Sequence, residues 1–315
     1  MDRSLTIRIS NELGNQLFMY ASAYAIAKKL NRKLYIDDET AFLSKKNISK
    51  YALDNFNISS EIVDKDHKFK SLLGYIKRKF LIKTDHFRKK KFFYIERKNS
   101  NKITSFQEDF LNQSFNDNLF MEGYFESEKY FIDCKDEISN EFILKKTDLF
   151  QKNFYFNEII NSNSISLCIR QNRFIEGKDN NTNENKRKSW EFTLEQISYI
   201  NKSVELIKSK VNDPKFFLWS NDFTNLESKL FNFECQKVNL NNINENVDRR
   251  ILSLYLLTQC KHFVVTTSSF NWWGAWLSNK KNKIILRPSN SFFSVFKVSN
   301  KDFWPENWAK IFRNN

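Results

Sequence analysis

The amino-acid sequence predicts an α/β protein with two parallel-sheet domains that face each other across a cleft. One strand–helix–strand series occupies residues 6–36, and a second, longer series occupies residues 165–287. Strands that alternate with helices favour parallel sheets, and each series would build one. The chain has 315 residues, which is enough for about two domains. With 41% hydrophobic residues, 5 glycines and 3 prolines, the composition is that of a globular protein.

The first series begins with a short strand over residues 6–10, in which apolar and polar residues alternate. We expect residues 11–15 to form a loop. A helix should follow, because apolar residues then recur every three or four positions, at Leu17, Tyr20, Ala21, Tyr24, Ala27 and Leu30. Residues 33–36 predict the next strand. The stretch from 40 to 155 is less regular, and we place helices there only loosely.

The second series begins with a strand over residues 165–170. The polar segment 176–189 contains too much Asn and charge to pack, so it predicts a mobile loop. The remaining elements predicted in order are a helix at 194–207, a strand at 215–219, a strand near Val238, a helix at 248–259, a strand at 263–267, a helix at 272–278 and a strand at 283–287. We place the domain boundary at residue 155.

The sequence argues against several classes of protein. No run of about 18 apolar residues occurs, and the start lacks the basic-then-apolar layout of a secretion signal. We therefore expect a protein that is neither membrane-spanning nor exported. The four cysteines are far apart and the chain has only three histidines, so zinc-type spacing is missing. We expect free thiols in a reducing cytoplasm.

The positive charge is concentrated in one segment. The net charge of the chain is +14; residues 68–102 hold 13 basic and 2 acidic residues, or +11, which leaves +3 elsewhere. Phenylalanines and tyrosines interleave with these lysines and arginines, which suits a membrane surface, a polyanion or a nucleic acid. A solvated helical hairpin is an equal alternative. We expect peripheral membrane association without insertion.

Polar residues follow several predicted strands, where ligands of parallel sheets bind. Arg170 ends an apolar strand, and its guanidinium could hold two phosphate oxygens and neutralise a leaving group. An edge-of-sheet salt bridge is the competing interpretation. Ser268 and Ser269 stand where a strand meets a helix, a position that suits a phosphate, although serine there usually only caps the helix. Gly14-Asn15 and Ser220–Asp222 follow two further strands.

Two other groups of residues have simpler interpretations. Asp37, Asp38 and Glu39 could bind a divalent metal at a nucleotide pyrophosphate, but they fit an exposed strand end better. The three tryptophans at 272, 273 and 276 are expected to pack in the core rather than to hold a ligand.

Several ordered motifs resemble the bacterial α-1,2-fucosyltransferases of glycosyltransferase family eleven. Residues 13–18 stand in place of the family's Gly-Leu-Gly-Asn-Gln-Leu/Met-Phe loop. Residues 123–131 are similar to its Gly-Tyr-Phe/Trp-Gln-Ser-Glu-Lys-Tyr-Phe stretch, and residues 219–222 to its Phe-Ser-Asp-Asp. The strongest match is residues 268–277, against Ser-Ser/Thr-Phe-Ser-Trp-Trp-Gly-Ala-Trp-Leu. Residues 304–308 resemble its Tyr-Pro-Glu-x-Trp, so the matches span nearly the whole chain.

One motif departs from the family pattern. The family's phosphate-binding signature is His-x-Arg-Arg-Gly-Asp-Tyr, whereas residues 168–174 are Cys-Ile-Arg-Gln-Asn-Arg-Phe. Arg170 keeps the first arginine, and Arg173 could supply the second positive charge from a shifted position. This difference bears on the affinity for the donor and on the identity of the donor. It leaves the predicted fold unchanged.

The resemblance implies the GT-B architecture of two Rossmann-like domains, with the acceptor on residues 1–155 and GDP-β-L-fucose on residues 156–315. It implies an inverting, metal-independent transfer of L-fucose to a hydroxyl, galactose O2, of a cell-surface glycan precursor. The expected acceptor is an oligosaccharide or a lipid-linked glycan. Arg170 would act in catalysis, and the donor-binding residues would be Gly14, Asn15, Arg170, Arg173, Asp222, Ser268, Ser269 and Phe270. Inversion calls for a base near the attacking hydroxyl. Our candidates are Glu12 and then Glu176, neither of which comes from the family signature.

Three other functions stay open. The altered motif at 168–174 would suit transfer from another nucleotide sugar. A non-catalytic binder would hold GDP-fucose without turnover. A nucleic-acid-binding protein would use residues 68–102, but that function leaves residues 268–277 unexplained, and we expect no nucleic-acid partner.

Overall fold

The computed structural model describes residues 3–43, 49–65, 68–98, 103–175, 181–241 and 247–313. The chain forms two compact units. The first unit comprises residues 1–143 and 301–305, and the second comprises residues 144–300 and 306–315. The main crossing between them comes after residue 143, earlier in the chain than the boundary placed at 155, and a short segment near the C-terminus belongs to the first unit.

The first unit is built around a five-stranded parallel sheet. Its strands and α-helices are β1 (Ser4–Arg8), α1 (Leu13–Lys29), β2 (Lys33–Asp37), β3 (Glu61–Ile62), α2 (Leu72–Thr84), β4 (Lys91–Ile95), β5 (Phe115–Glu122) and α3 (Lys135–Glu141). The strand order is β3-β2-β1-β5-β4, and every pairing is parallel. The alternating pattern of β1 and the helical period that follows it predicted the first three of these elements.

Helix α1 begins at Leu13, so the predicted loop over residues 11–15 is wrong for its last three residues. Glu12 is the N-cap, with extended backbone, and its carbonyl accepts the N–H groups of Asn15 (3.0 Å) and Gln16 (3.1 Å). A glycine in the first turn needs no special conformation, and the helix therefore includes Gly14. Gln16 donates to the carbonyl of Asn11 (2.7 Å), which ties the residues before the helix to its first turn.

The second unit is built around a six-stranded sheet. Its strands are β6 (Asn163–Ile169), β7 (Pro214–Ser220), β8 (Gln236–Lys237), β9 (His262–Val264), β10 (Ile285–Pro288) and β11 (Ala309–Ile311). Its α-helices are α4 (Asp148–Gln151), α5 (Phe154–Ile160), α6 (Asn183–Lys208), α7 (Arg249–Gln259) and α8 (Ser269–Leu277). The strand order is β11-β10-β9-β6-β7-β8, with every pairing parallel. One hydrophobic core packs α6 against this sheet.

The predicted mobile loop over residues 176–189 is wrong from Asn183 onward, because α6 begins there. Residues 176–180, with the candidate base Glu176, lie outside the described residues. The first turns of α6 are exposed and charged, and Arg187 pairs with Glu191 one turn later (2.7 Å). A surface helix can carry polar residues that would not pack in a core, which is why composition alone predicted a loop.

The predicted fold class of two parallel α/β units is confirmed. The four cysteines are free thiols, as expected. Among the described helices, none is both long enough and apolar enough to cross a bilayer.

Candidate functional site

Three adjacent strands of the second unit end in polar segments. β9, β6 and β7 lie side by side and run parallel, so their carboxyl ends meet at one edge of the sheet. Residues 170–173 follow β6, residues 221–222 follow β7 and residues 266–269 follow β9. Ligands of open parallel sheets bind at this edge. The six candidates of the second unit, from Arg170 to Phe270, therefore belong to one edge of one sheet.

The backbone of Arg170 is held on both sides by Gln196 of α6. The Arg170 N–H donates to Gln196 Oε1 (3.0 Å), and Gln196 Nε2 donates to the Arg170 carbonyl (2.9 Å). Gln196 is fully buried, at 0% exposure, and Arg170 is half-buried. The amide thus satisfies both polar groups of one peptide segment beyond the end of β6, and it positions the backbone from which the guanidinium extends.

The turn after β6 is joined to the turn after β7 by hydrogen bonds. The Gln171 N–H donates to Asn221 Oδ1 (2.8 Å), and Gln171 Nε2 donates to the carbonyls of Asp222 (2.5 Å) and Thr224 (2.8 Å). Asn172 Nδ2 donates to Asp222 Oδ2 (2.9 Å). Hydrogen bonds from Thr224 and from Asn172 lower the pKa of Asp222. Asp222 is therefore ionised at neutral pH, and its charge helps to hold the two turns together.

This turn explains how the chain tolerates its departure from the His-x-Arg-Arg-Gly-Asp-Tyr signature. Asn172 stands at the glycine position with φ 58°, a conformation that glycine favours and asparagine tolerates. Gln171 stands at the second arginine and is 4% exposed, with its amide used inside the turn. Arg173 is exposed, and its Cζ lies 4.4 Å from the centroid of the Phe296 ring. The altered motif keeps a left-handed turn and sets Arg173 on an aromatic ring.

The N-terminus of α8 presents unpartnered polar atoms. Ser268 is the N-cap and its carbonyl accepts the Trp272 N–H (2.9 Å), but its side chain makes no capping hydrogen bond among the described residues. Ser268 therefore occupies the N-cap position, as the capping interpretation expects, but without a side-chain cap among the described residues. Thr267 Oγ1 and Asn271 Oδ1 are buried and have no hydrogen-bond partner in the described part of the chain. The helix N–H groups and the Thr267 hydroxyl can donate to an anionic ligand, whereas Asn271 Oδ1 can only accept a hydrogen bond.

The rest of α8 is anchored in the core. Trp272 and Trp273 are fully buried, Trp276 is nearly so, and Trp272 also contacts the ring of Trp308. The prediction that these tryptophans pack rather than bind is confirmed. Thr266 Oγ1 donates to the Cys168 carbonyl (3.1 Å), which links the segment before α8 to β6.

The candidates Glu12, Gly14 and Asn15 lie in the first unit. Gly14 is buried and Asn15 half-buried in the first turn of α1, while Glu12 is exposed. Ser49 Oγ donates to Glu12 Oε1 (2.6 Å). The structure therefore provides Glu12 with one identified hydrogen-bond partner and an accessible carboxylate.

The motif at residues 123–131 makes a contact with a half-buried carboxylate that sequence reasoning missed. Gly123 has φ 147°, and the Glu96 carboxylate accepts the N–H groups of Tyr124 (2.8 Å) and Phe125 (2.9 Å). Burial raises the pKa of Glu96. Asn11 Nδ2 donates to the Tyr124 hydroxyl (2.7 Å), so this turn contacts the residues that precede α1. The sequence signal for this contact was Gly123, because the Cβ of any other residue at that position would lie 2.3 Å from Glu96 Cβ.

The acidic residues at the end of β2 are engaged by neighbours, and the expectation of an exposed strand end is wrong for Asp37, which is buried. Asp37 accepts the N–H groups of Glu39 (3.1 Å) and Thr40 (2.9 Å). Lys68 pairs with Asp38 (2.6 Å) and lies 3.7 Å from Glu39. Among the described residues, no cluster of three or more His, Cys, Asp or Glu side chains could hold a metal ion.

A family profile identifies the family of the whole chain. The profile described as Glycosyl transferase family 11 matches residues 2–312, nearly the whole chain. The chain belongs to this family. It is a glycosyltransferase, and the predicted resemblance is confirmed.

Two relatives from Escherichia coli support the family assignment. The chain is 25% identical over 317 residues to an alpha-1,2-colitosyltransferase, covering 96% of this chain and 97% of that protein. It is also 25% identical to the O-antigen biosynthesis glycosyltransferase WbnK, covering 90% of this chain and 93% of the relative. Among solved structures, the fucosyltransferase NodZ from Bradyrhizobium has a TM-score of 0.51 at 15% identity, covering 87% of this chain and 92% of that chain. That likeness concerns the fold, which is the predicted GT-B class.

Proposed function

We propose that the chain is an inverting transferase that moves L-fucose from GDP-β-L-fucose to a hydroxyl, galactose O2, of a cell-surface glycan precursor. The observation that carries this proposal is Arg170, which Gln196 holds at the carboxyl end of β6. The N-terminus of α8 belongs to the same sheet edge. A guanidinium can donate a fork of hydrogen bonds to a diphosphate, and helix N–H groups can take further oxygens.

In the proposed reaction, the acceptor hydroxyl attacks fucose C1 on the face opposite GDP. The C1–O bond to the diphosphate breaks, its electron pair leaves with GDP, and the hydroxyl proton passes to a base. Arg170 and the α8 N–H groups would stabilise the charge that develops on the diphosphate. We propose Glu12 as the base because it is an exposed carboxylate at the N-cap of α1 in the first unit. We further propose that no metal ion is needed, since these donors supply the neutralising charge.

A second donor is favoured by a specific observation. One relative of similar length is named an alpha-1,2-colitosyltransferase. Colitose differs from L-fucose by loss of one ring hydroxyl, so GDP-colitose offers the same diphosphate to Arg170. The altered turn at residues 171–173 is where the chain departs from the fucosyltransferase signature, and a difference in donor would be consistent with it.

A donor panel tests the proposal. The purified protein is incubated with a β-galactoside and GDP-fucose, GDP-colitose, GDP-mannose or UDP-galactose, and products are identified by NMR. We expect an α-1,2-linked product from GDP-fucose or GDP-colitose only. Transfer from UDP-galactose would overturn the donor class, and a β-linked product would overturn inversion. Binding of GDP-fucose without any product or hydrolysis would favour the non-catalytic alternative.

A further inference from the structure

Helix α2 of the first unit carries apolar side chains on its solvent face. Leu72, Leu73, Ile76 and Phe80 are 76%, 78%, 54% and 61% exposed, and no residue of the helix is buried. Their spacing of one, four and eight positions from Leu72 sets them on one side of an α-helix. A surface helix normally presents polar residues to water on this side, so the exposed apolar stripe needs an explanation.

The opposite side of α2 attaches the helix to the unit. The half-buried residues of the helix are Gly74, Arg78, Leu81, Ile82 and, at its last position, Thr84. Arg78 forms a two-point ion pair with Glu122 of β5, with Nε 2.7 Å from Oε1. Because the helix is attached through this side, its apolar stripe is directed away from the protein.

Exposed lysines border the apolar stripe. Lys77, Lys79 and Lys83 are exposed on α2, and Lys89 and Lys90 are exposed shortly after it. Phe87, between the two groups, is 82% exposed. A surface that combines aliphatic side chains with lysine ammonium groups is complementary to an anionic lipid bilayer, where acyl chains and phosphates lie within a few ångströms of each other.

We propose that α2 is an interfacial helix that lays Leu72, Leu73, Ile76 and Phe80 into the boundary between headgroups and acyl chains of an anionic membrane. The bordering lysines bind lipid phosphates. With 13 residues the helix is roughly 20 Å long, so it lies in the plane of the surface and does not span it. This proposal revises the expectation of surface association without insertion, and it does not depend on the donor or the acceptor.

Charge and side-chain chemistry favour lipid over other occupants. A second copy of the chain would bring a second set of the same lysines to the interface, and like charges repel. A nucleic acid would satisfy the lysines but would leave three aliphatic side chains without an apolar partner. An anionic bilayer satisfies both.

Co-sedimentation with lipid vesicles tests the proposal. Vesicles contain phosphatidylcholine alone or with about a third phosphatidylglycerol. The apolar variant carries Leu72→Gln, Leu73→Gln, Ile76→Gln and Phe80→Gln. The charge variant carries glutamine at Lys77, Lys79, Lys83, Lys89 and Lys90. The matched control carries glutamine at five exposed lysines elsewhere, Lys152, Lys186, Lys208, Lys210 and Lys281. Arg78 and Lys91 are left unchanged, because Arg78 pairs with Glu122 and Lys91 donates to two backbone carbonyls.

We expect the wild type and the matched control to sediment with anionic vesicles. With neutral vesicles, both proteins should remain in the supernatant. The charge variant should lose on the order of a thousandfold in partitioning, since each lysine near an anionic surface contributes about a fivefold factor. The apolar variant should also lose binding while melting like the wild type, because its changed side chains are exposed. A wild type that stays in the supernatant at low salt would overturn the proposal, as would loss of binding by the matched control equal to that of the charge variant.

Depth of insertion separates this proposal from simple electrostatic adsorption. Phe80→Trp should be quenched by brominated lipids in anionic vesicles, whereas Leu149→Trp, at a position 56% exposed in the second unit, should not. Equal quenching of the two, or vesicle binding by the apolar variant equal to wild type, would overturn insertion. Sedimentation velocity gives the remaining outcome: a wild-type dimer that the apolar variant converts to monomer would assign the stripe to self-association and overturn the lipid proposal.

Discussion

Replacing Gln196 with leucine removes the amide that holds Arg170 while keeping a side chain of similar size. In the wild type this amide satisfies the N–H and the carbonyl of Arg170, at 3.0 and 2.9 Å, from a fully buried position. Leaving a buried polar group unsatisfied costs about 1–3 kcal/mol, so two such groups should lower the free energy of unfolding by about 2–4 kcal/mol after the gain in apolar burial. The melting temperature should fall by roughly 5–15 °C.

Thermal unfolding followed by circular dichroism measures this loss, with Ser203→Ala as the matched control. Ser203 is also buried on α6, and its hydroxyl donates to the Tyr199 carbonyl one turn earlier (2.8 Å). Its removal should shift the melting temperature much less. Gln196→Leu should also lose transfer activity at temperatures where it is fully folded, because the Arg170 backbone is no longer held. A variant that melts like the wild type, or that is destabilised yet fully active when folded, would refute the positioning role.

Three further perturbations follow from the structure. Gly274→Ala would set a Cβ 1.7 Å from Leu257 Cδ2 and should cost about 1–3 kcal/mol in chemical unfolding. Leu257→Ala in the same chain should relieve part of that cost, whereas strict additivity would contradict the contact. Burial lowers the pKa of His262, whose Nδ1 accepts the Ile284 N–H (3.0 Å). The unfolded chain takes up a proton that folded His262 resists, so stability should fall as the pH drops from about 7.5 to 5.5. This dependence should be weaker in His262→Gln, and parallel pH curves would contradict it. Transfer should be unchanged by EDTA, whereas a loss that Mn²⁺ restores would reopen Asp37 and Asp38 as ligands.

The strands and helices of the second unit were largely predictable because its sheet is buried. β7 contains the apolar run 216–219, and β6 alternates serine with the buried residues Ile165, Leu167 and Ile169. The predicted ranges 165–170 and 215–219 lie within one or two residues of the observed strands. The same logic located the candidate residues, since whatever follows a parallel strand lies at the ligand edge. The periodicity of hydrophobic residues gives little information about helical turns made of charged residues. For this reason the start of α6 was missed.

The hydrogen-bonded frame around Arg170 was not predicted. Gln171 and Asn172 looked like losses from a known signature, and only their partners show that they build the turn. Gln196 did leave a signal: it falls on the buried stripe of α6 between Phe192 and Ile200, where a polar side chain is out of place. Its partner could not be read from the sequence, because the contact joins residues 26 positions apart.

Binding of GDP to the wild type, Arg170→Ala and Arg187→Ala tests the central claim most directly. Arg187 is an exposed arginine of α6 paired with Glu191, so its removal changes the net charge equally without touching the sheet edge. Isothermal titration calorimetry should show binding of GDP by the wild type and by Arg187→Ala, and affinity weakened by about a hundredfold or more in Arg170→Ala, with all three proteins equally folded. Equal affinity in Arg170→Ala and the wild type, or no binding of GDP by any of the three, would contradict the assignment of the donor diphosphate to Arg170.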